Sequence, residues 1–314
     1  VASTAAGPGG PGPLHGTAAL CLIRITLTDF RSYRSLSWSP ACRVVVISGP
    51  NGSGKTNLLE AISLLVPGRG LRGARLADLA RRGGTGRWGV AGQFATADGT
   101  LDIGTGTPPE GPAERRVFRL DGTAPRSQGE IASLVASVWL TPQMDRLFVE
   151  GASGRRRFLD RLVWALEPGH AREVAAHETA MRERNRLLAL GGADAAWLAG
   201  LEDAMARHGV AVAAARRALV ARLNAAAADG GLAGFPSARM QVLCPVADRL
   251  AEMPALAAED WLRQALAAGR RRDAEAGGAA LGAHRADLAL ADAASGLRAA
   301  EASTGQQKAL LLGV

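Results

Sequence analysis

Gly49, Gly52 and Gly54 surround Pro50, Asn51 and Ser53, and Lys55 and Thr56 follow at once. The order is glycine, four residues, then Gly-Lys-Thr, a spacing suited to holding a phosphate. Glycines let successive backbone N–H groups turn inward around an anion without Cβ clashes. A lysine at the end of such a loop reaches the β- and γ-phosphates of a nucleotide, and the threonine hydroxyl ligates the accompanying Mg²⁺. The residues expected to hold ATP and Mg²⁺ are therefore Gly49, Pro50, Asn51, Gly52, Ser53, Gly54, Lys55, Thr56 and the adjoining Asn57, with Thr56 as the hydroxyl ligand of the metal. A glycine-rich turn before an ordinary helix would share the pattern. However, of 37 Lys plus Arg residues only Lys55 and Lys308 are lysine. A compact charge on a flexible stem, in a chain that otherwise uses arginine, fits a phosphate cradle.

The elements that must position this loop flank it on both sides. Residues 43–48 are a short β-branched run, a predicted strand, and residues 57–65 read as a helix whose N-terminus would favour an anion. Upstream, Cys21, Ile23, Ile25 and Leu27 alternate, predicting a strand over 20–27; a second over 35–39 follows Asp29-Phe30-Arg31-Ser32-Tyr33. Downstream, Trp88, Val90 and Phe94, a turn at Asp98-Gly99, then Leu101 and Ile103 predict a hairpin, and 116–121 a further strand before a turn at Gly122. A mononucleotide kinase would instead run straight into alternating βα units.

Residues 137–143 read as a strand ended by Pro142. Residues 169–228 are Ala-rich and broken at Gly191-Gly192, which predicts two long helices. In the second, Leu198, Leu201, Met205, His208, Val212, Ala215 and Leu219 follow a coiled-coil spacing. His177 and His208 read as seam or surface residues rather than ligands. A strand over 236–246, an amphipathic helix over 256–268, and alternation from Leu288 with a turn at Ser295-Gly296 follow. Ser303 with Gln306 three residues later is a capping-box pattern, so a helix starts there and carries Lys308 on its first turns.

With 314 residues, 47% of them apolar, the chain can bury a sizeable core in about two domains. A net charge of +8 fits a polyanionic partner and equally a generally arginine-rich composition. Cys21, Cys42 and Cys244 are too few and too scattered for a disulfide framework or a zinc site. No apolar run approaches the roughly 18 residues of a membrane span and no signal peptide is visible, so a cytoplasmic protein without a membrane partner is expected. Residues 1–19, nearly all small, are expected to be disordered. Arg69, Arg72, Arg75, Arg81, Arg82 and Arg87 stand against one acid, Asp78, in a Gly-rich stretch. This is either a phosphate-tracking loop or a solvated one. Arg155, Arg156 and Arg157 offer the same choice, between phosphate contacts and stems that cover apolar surface.

Four segments together resemble the RecF family, in the SMC and ABC group of ATPases. They are the phosphate loop; Arg155-Arg156-Arg157-Phe158-Leu159-Asp160; Gly282-Ala283-His284-Arg285-Ala286-Asp287-Leu288, similar to the family's Gly-Pro-His-Arg-Asp-Asp-Leu; and Ser303-Thr304-Gly305-Gln306-Gln307-Lys308, similar to its signature. The resemblance covers residues 20–314 and implies an α/β fold. That fold is an ABC/SMC-type ATPase head, a mixed sheet with an antiparallel meander, plus an inserted and mostly helical arm lobe. The implied division is 20–165 for the first part of the head, 166–280 for the arm, and 281–314 for the return to the head.

The resemblance further implies that Arg31 lies near the nucleotide, and that Ser303, Gly305, Gln306 and Lys308 form the signature that meets a second copy in an ATP-dependent homodimer. DNA would be held by Arg69, Arg72, Arg75, Arg155, Arg156 and Arg157. The implied function is ATP-dependent DNA binding in recombinational repair, replication and the SOS response, helping RecA load at single-strand gaps. The implied partners are single-stranded and duplex DNA, gap junctions, RecR, RecO and RecA. Many relatives carry Glu where Gln143 stands, so Gln143 is given no water-positioning role.

Two alternatives remain: a P-loop kinase or transferase acting on a small molecule, and an ABC transporter subunit. The Ser-Gly-Gly-Gln of transporters is not what residues 303–306 spell. Catalytic acids are unassigned, because the Walker B strand of this class follows the signature helix and here only residues 309–314 do. Asp292 is followed by Ala293, and Glu202 and Asp203 lie in a helical stripe. The chain as given is therefore expected to be C-terminally truncated, to bind ATP without turning it over, and to be marginal in stability.

Overall fold

Ile25, Leu27 and Phe30 of the first strand are fully buried in one core, and the first of two compact units, residues 1–139 and 140–314, is assembled on them. The computed structural model describes residues 20–41, 44–110, 112, 114–191, 194–230 and 234–314. Residues 1–19, expected to be disordered, lie outside the described residues, as do Arg43 and Gly192. In the first unit β1 (Cys21–Phe30), β2 (Tyr33–Trp38), β3 (Gly89–Thr96), β4 (Gly99–Gly106) and β5 (Val117–Leu120) form an antiparallel sheet in the order β2-β1-β3-β4-β5. This is the expected meander, with Leu27 opposite Val90 and Phe94 opposite Leu101.

Helix α1 (Lys55–Ser63) sends Leu58 and Ala61 into the same core, followed by Leu64 and Leu65. The approach is close. A Cβ on Gly92 of β3 would lie 2.5 Å from Leu65 Cδ1, so the missing side chain lets the end of α1 settle on the sheet. Helix α2 (Gln128–Leu134), capped by Ser127, adds Ile131.

Two predicted strands are absent. Residues 44–48 form no strand among the described residues, and Val44 and Val46 are 81% and 76% exposed. A β-branched run becomes a strand only where a neighbour meets its N–H and C=O groups. The sheet ends at β2 and β5, and neither edge takes this run. Residues 137–143 likewise form no strand; Pro142 instead opens a 3-10 turn, Pro142–Arg146.

The second unit is mainly helical: α3 (Ala152–Leu166), α4 (His170–Leu190), α5 (Ala195–Ala228), α6 (Pro245–Glu252), α7 (Ala255–Ala268), α8 (Arg270–Glu275) and α9 (Thr304–Leu312). Strands β6 (Ala238–Leu243) and β7 (Asp287–Asp292) pair antiparallel, Met240 opposite Leu290. The contacts of α3 with α5 and β7 place it in this unit.

Leu198, Met205, Val212 and Leu219 of the predicted stripe are buried in α5. So is a charge network that apolar periodicity cannot reveal. Arg184, fully buried, donates to Glu202, Asp273 and the Leu266 carbonyl, and Glu202 also accepts from Arg270. Among the described residues no helix is long and apolar enough to cross a membrane, and no cluster of three His, Cys, Asp or Glu residues could hold a metal.

His208 bonds Glu173 across α4 and α5 at 2.7 Å. His177 is buried against Gly209 and against His284, their ring centroids 5.6 Å apart. Burial, then the charges of His284, Arg216 and His208, push the His177 imidazole down to about 4. The folded state therefore keeps a neutral ring that the unfolded chain protonates near pH 6.5. This contribution is fully present above pH 6.5 and is lost as pH falls towards 4. Urea unfolding at pH 7 and pH 4.5 should show His177→Gln losing about 2–3 kcal/mol less stability on acidification than the parent. Equal losses in the two proteins would contradict this reading.

Candidate functional site

The phosphate-loop residues occupy the backbone conformations their types allow. Gly49, Gly52 and Gly54 have φ of 145°, 83° and 92°. Gly54 is the N-cap of α1 and has no side chain to satisfy the N–H groups of the first turn, which also holds no acid. Those groups and the positive end of the helix dipole remain available to an anion. The Lys55 ammonium folds over the loop and donates to the carbonyls of Gly49 and Pro50, both at 2.7 Å. Ser53 N–H closes a turn onto the Pro50 carbonyl, and the Thr56 side chain is exposed. The donor set fits a triphosphate with Mg²⁺: amides and an ammonium for the phosphate oxygens, a hydroxyl for the metal.

The turn between β1 and β2 seats this loop. Tyr33 Oη donates to the Gly54 carbonyl, and a Cβ at Gly54 would lie 2.7 Å from that oxygen. Asn57 Nδ2 donates to Ser32 Oγ at 2.9 Å. Asp29 and Arg31 both hold left-handed φ, 45° and 53°. Backbone bonds from Arg31 N to Leu79 O and from Arg81 N to Asp29 O hold them there. The hydrogen bond from Arg81 keeps the Asp29 carboxyl below the ordinary carboxylate range.

Glu60, one turn into α1, is 1% exposed and is the residue the sequence reading missed. Arg31 grips both its oxygens at 2.8 Å, and Arg72 reaches Oε2 at 3.1 Å. Three residues expected at ligands are engaged within the protein. Arg31 lies beside the nucleotide loop, but its guanidinium is turned to Glu60 and the Asp78 carbonyl. Arg72, expected on DNA, is held by Glu60 and Asn57, and the Asn57 amide is divided between Arg72 and Ser32 instead of facing the loop. A buried carboxylate draws in whatever cation can reach it, because its desolvation is offset only by pairing. At the other end of α1, half-buried Arg116 donates to the carbonyls of Leu64, Val66 and Gly68 and lies 4.3 Å over Phe118. Burial without a carboxylate partner brings its guanidinium down to about 10. A cation there suits the negative end of the helix; nothing in the spacing of Arg116 signals it.

The remaining loop arginines divide. Arg69 donates to the Gly73 carbonyl, whereas the side chains of Arg75 and Arg82 are exposed with no hydrogen-bond or ion-pair partner among the described residues.

In the second unit the two arginine-bearing motifs meet. Arg155 clasps Asp287 through Nε and Nη2 at 2.6 and 2.9 Å, and its Nη1 donates to the carbonyls of Leu147 and Glu150. Arg156 donates to the Ala286 carbonyl. Asp160 accepts from Arg216, which also bonds the Ala283 carbonyl, and pairs with His170. Burial pushes the Asp160 carboxyl up, but the bonds from His170 and Arg216 outweigh it and hold it below its ordinary value. Gly282 must be glycine: its φ is 141°, and a Cβ would lie 2.9 Å from His284 Nδ1. Arg155 and Arg156, expected on DNA, are thus ties between α3 and the segment leading into β7. Of the three, only Arg157 is exposed without such a partner among the described residues. The signature segment opens α9 with both capping-box bonds, Gln306 N–H to Ser303 Oγ and Ser303 N–H to Gln306 Oε1. Ser303, Gly305 and Gln306 are exposed, and Lys308 lies 3.6 Å from Asp145.

A family model described as an AAA domain matches residues 24–83, from β1 through α1 and into the arginine-rich loop. The chain is 47% identical, over 93% of its length and 78% of its relative's, to the DNA replication and repair protein RecF of Mesorhizobium japonicum. It is 45% identical to that of Agrobacterium fabrum, over 95% of its own length and 80% of the relative's. A solved structure of the recombination mediator protein RecF-ATPrS in the RecFOR pathway matches with a TM-score of 0.81 at 21% identity, covering 95% of this chain and 81% of that one. A structure of RecF-ATP matches at 0.80 and 23% identity, covering 96% and 81%. These likenesses show that the chain shares the α/β fold of those RecF structures. With such identity over most of both sequences, the chain belongs to the RecF family of DNA replication and repair proteins.

Proposed function

We propose that residues 49–56 bind ATP, with Thr56 holding Mg²⁺, and that nucleotide binding is coupled to DNA binding. The observation that carries this is the uncapped start of α1, preceded by three glycines with positive φ and crossed by Lys55. When bound, Mg²⁺ would be held by the Thr56 hydroxyl and would supply charge that neutralises the phosphates. The chain's own residues bind and orient: the loop amides and Lys55 take the phosphates, while Glu60, Arg31 and Tyr33 keep the helix start in place. The names of the structural relatives, RecF-ATPrS and RecF-ATP, support a nucleotide here. Calorimetry should show Lys55→Ala abolishing ATP binding with the thermal midpoint unchanged; undiminished affinity would remove Lys55 from the site.

On this reading DNA is held through backbone phosphates, by Arg75, Arg82 and Arg157 ahead of the arginines already engaged, Arg69, Arg72, Arg155 and Arg156. The exposed α9 N-terminus supports a role for Ser303, Gly305, Gln306 and Lys308 as a signature that meets a second copy in an ATP-dependent homodimer. Residues 20–165 and 281–314 would form the head, and 166–280 the arm. Within the cytoplasm the protein would help RecA load at single-strand gaps, with RecR and RecO, during repair, replication and the SOS response. The RecFOR pathway named for its structural relatives supports these partners.

The DNA reading predicts a steep loss of affinity with salt, measured by fluorescence anisotropy on duplex DNA. Each of Arg75→Gln, Arg82→Gln and Arg157→Gln should lower the log–log slope by about 0.9, and Arg155→Gln should act on stability instead. An unchanged slope in the triple variant would place the phosphate contacts elsewhere.

A further inference from the structure

The sheet of the second unit has one face in the core and one hollow face. Met240, Leu288 and Leu290 point inward, so alternation turns Arg239, Gln241 and Leu243 of β6 outward, opposite Ala291, Ala289 and Asp287 of β7. Two alanines where strands commonly carry branched side chains leave a concavity of about 300 Å³, which Arg155 and Arg298 also line. Its floor is apolar, and Leu243 on it is 46% exposed.

The charge of this hollow is small. Arg155 is neutralised by Asp287 and Arg298 by Glu301, so Arg239 is the cation there with no hydrogen-bond or ion-pair partner among the described residues. A nucleic-acid strand would need a track of uncommitted cations and open aromatic faces for its bases; the hollow offers Arg239 alone, and the one aromatic that lines it, Phe148, is buried. It matches one carboxylate next to one aliphatic group.

We infer that this face docks an extended segment of a partner protein in which an aspartate or glutamate stands beside a large aliphatic side chain. The carboxylate meets the guanidinium fork of Arg239, and the aliphatic group lies on Ala289, Ala291 and Leu243. Gln241, between them, offers an amide to the peptide backbone. The inference stands apart from the nucleotide and DNA readings, since it uses none of their residues as ligand contacts.

The test is a methyl-NMR titration of the full chain, labelled at Ala and Leu, with a blocked pentapeptide of sequence Ser-Glu-Leu-Glu-Ser. Methyls of Ala289, Ala291 and Leu243 should shift saturably. The peptide with Gln for both Glu should fail to shift them. Arg239→Gln should weaken binding about tenfold, the worth of one charge-assisted hydrogen bond, with the other methyl signals in place. Shifts of these methyls by a short oligothymidylate and not by the peptide would overturn the inference in favour of nucleic acid. So would the absence of any shift at millimolar peptide, or binding indifferent to Arg239→Gln.

Discussion

A buried carboxylate on the helix that follows the glycine-rich loop is the interaction on which the site depends. Glu60 sits one turn beyond Lys55 and Thr56, and its two oxygens are taken by Arg31 from the β1–β2 turn and Arg72 from the following loop. Stripping a buried carboxylate of its cations typically costs about 3–5 kcal/mol, because the charge is then left uncompensated. The pairing therefore fixes where α1 begins relative to β1 and β2. Tyr33 and Ser32 complete the seat at Gly54 and Asn57, and Arg116 closes the opposite end. A loop that binds phosphate through backbone amides needs this rigidity, since the amides converge only while the helix start stays in place.

The second unit follows the same logic with different groups. Segments far apart in sequence, 155–160 and 282–288, are joined by Arg155 to Asp287, by Arg156 to Ala286, and through Arg216 by Asp160 to Ala283. Four of the five N–H bonds of Arg155 are spent inside the protein. The arginine run at 155–157 is thus a tie with one exposed member, and its density of positive charge overstates what a polyanion could use.

The antiparallel meander, both long helices, the capping box at Ser303 and the glycine-rich turn before α1 were legible in the sequence, because each is written in local periodicity, turn chemistry or spacing. What failed had a non-local cause. Residues 45–48 have the composition of a strand, but none of the described strands pairs with them. Arg31, Arg72 and Asn57 were assigned to ligands because nothing in the local pattern marks Glu60 as buried; its burial follows from the packing of α1 on β1 and β3. Arg184 and Glu202 were hidden for the same reason, as charged residues inside helices whose apolar stripe accounts for only part of what they bury.

The central claim is that the backbone amides at the start of α1 hold the phosphates of ATP. Amide NMR of the uniformly ¹⁵N-labelled chain, titrated with ATP–Mg²⁺ and separately with adenosine, tests it directly. The account predicts that Gly52, Gly54, Lys55 and Thr56 amides move downfield with ATP and stay in place with adenosine, while Glu60 and Arg31 shift little. Saturable ATP binding that leaves those four amides unmoved would contradict it.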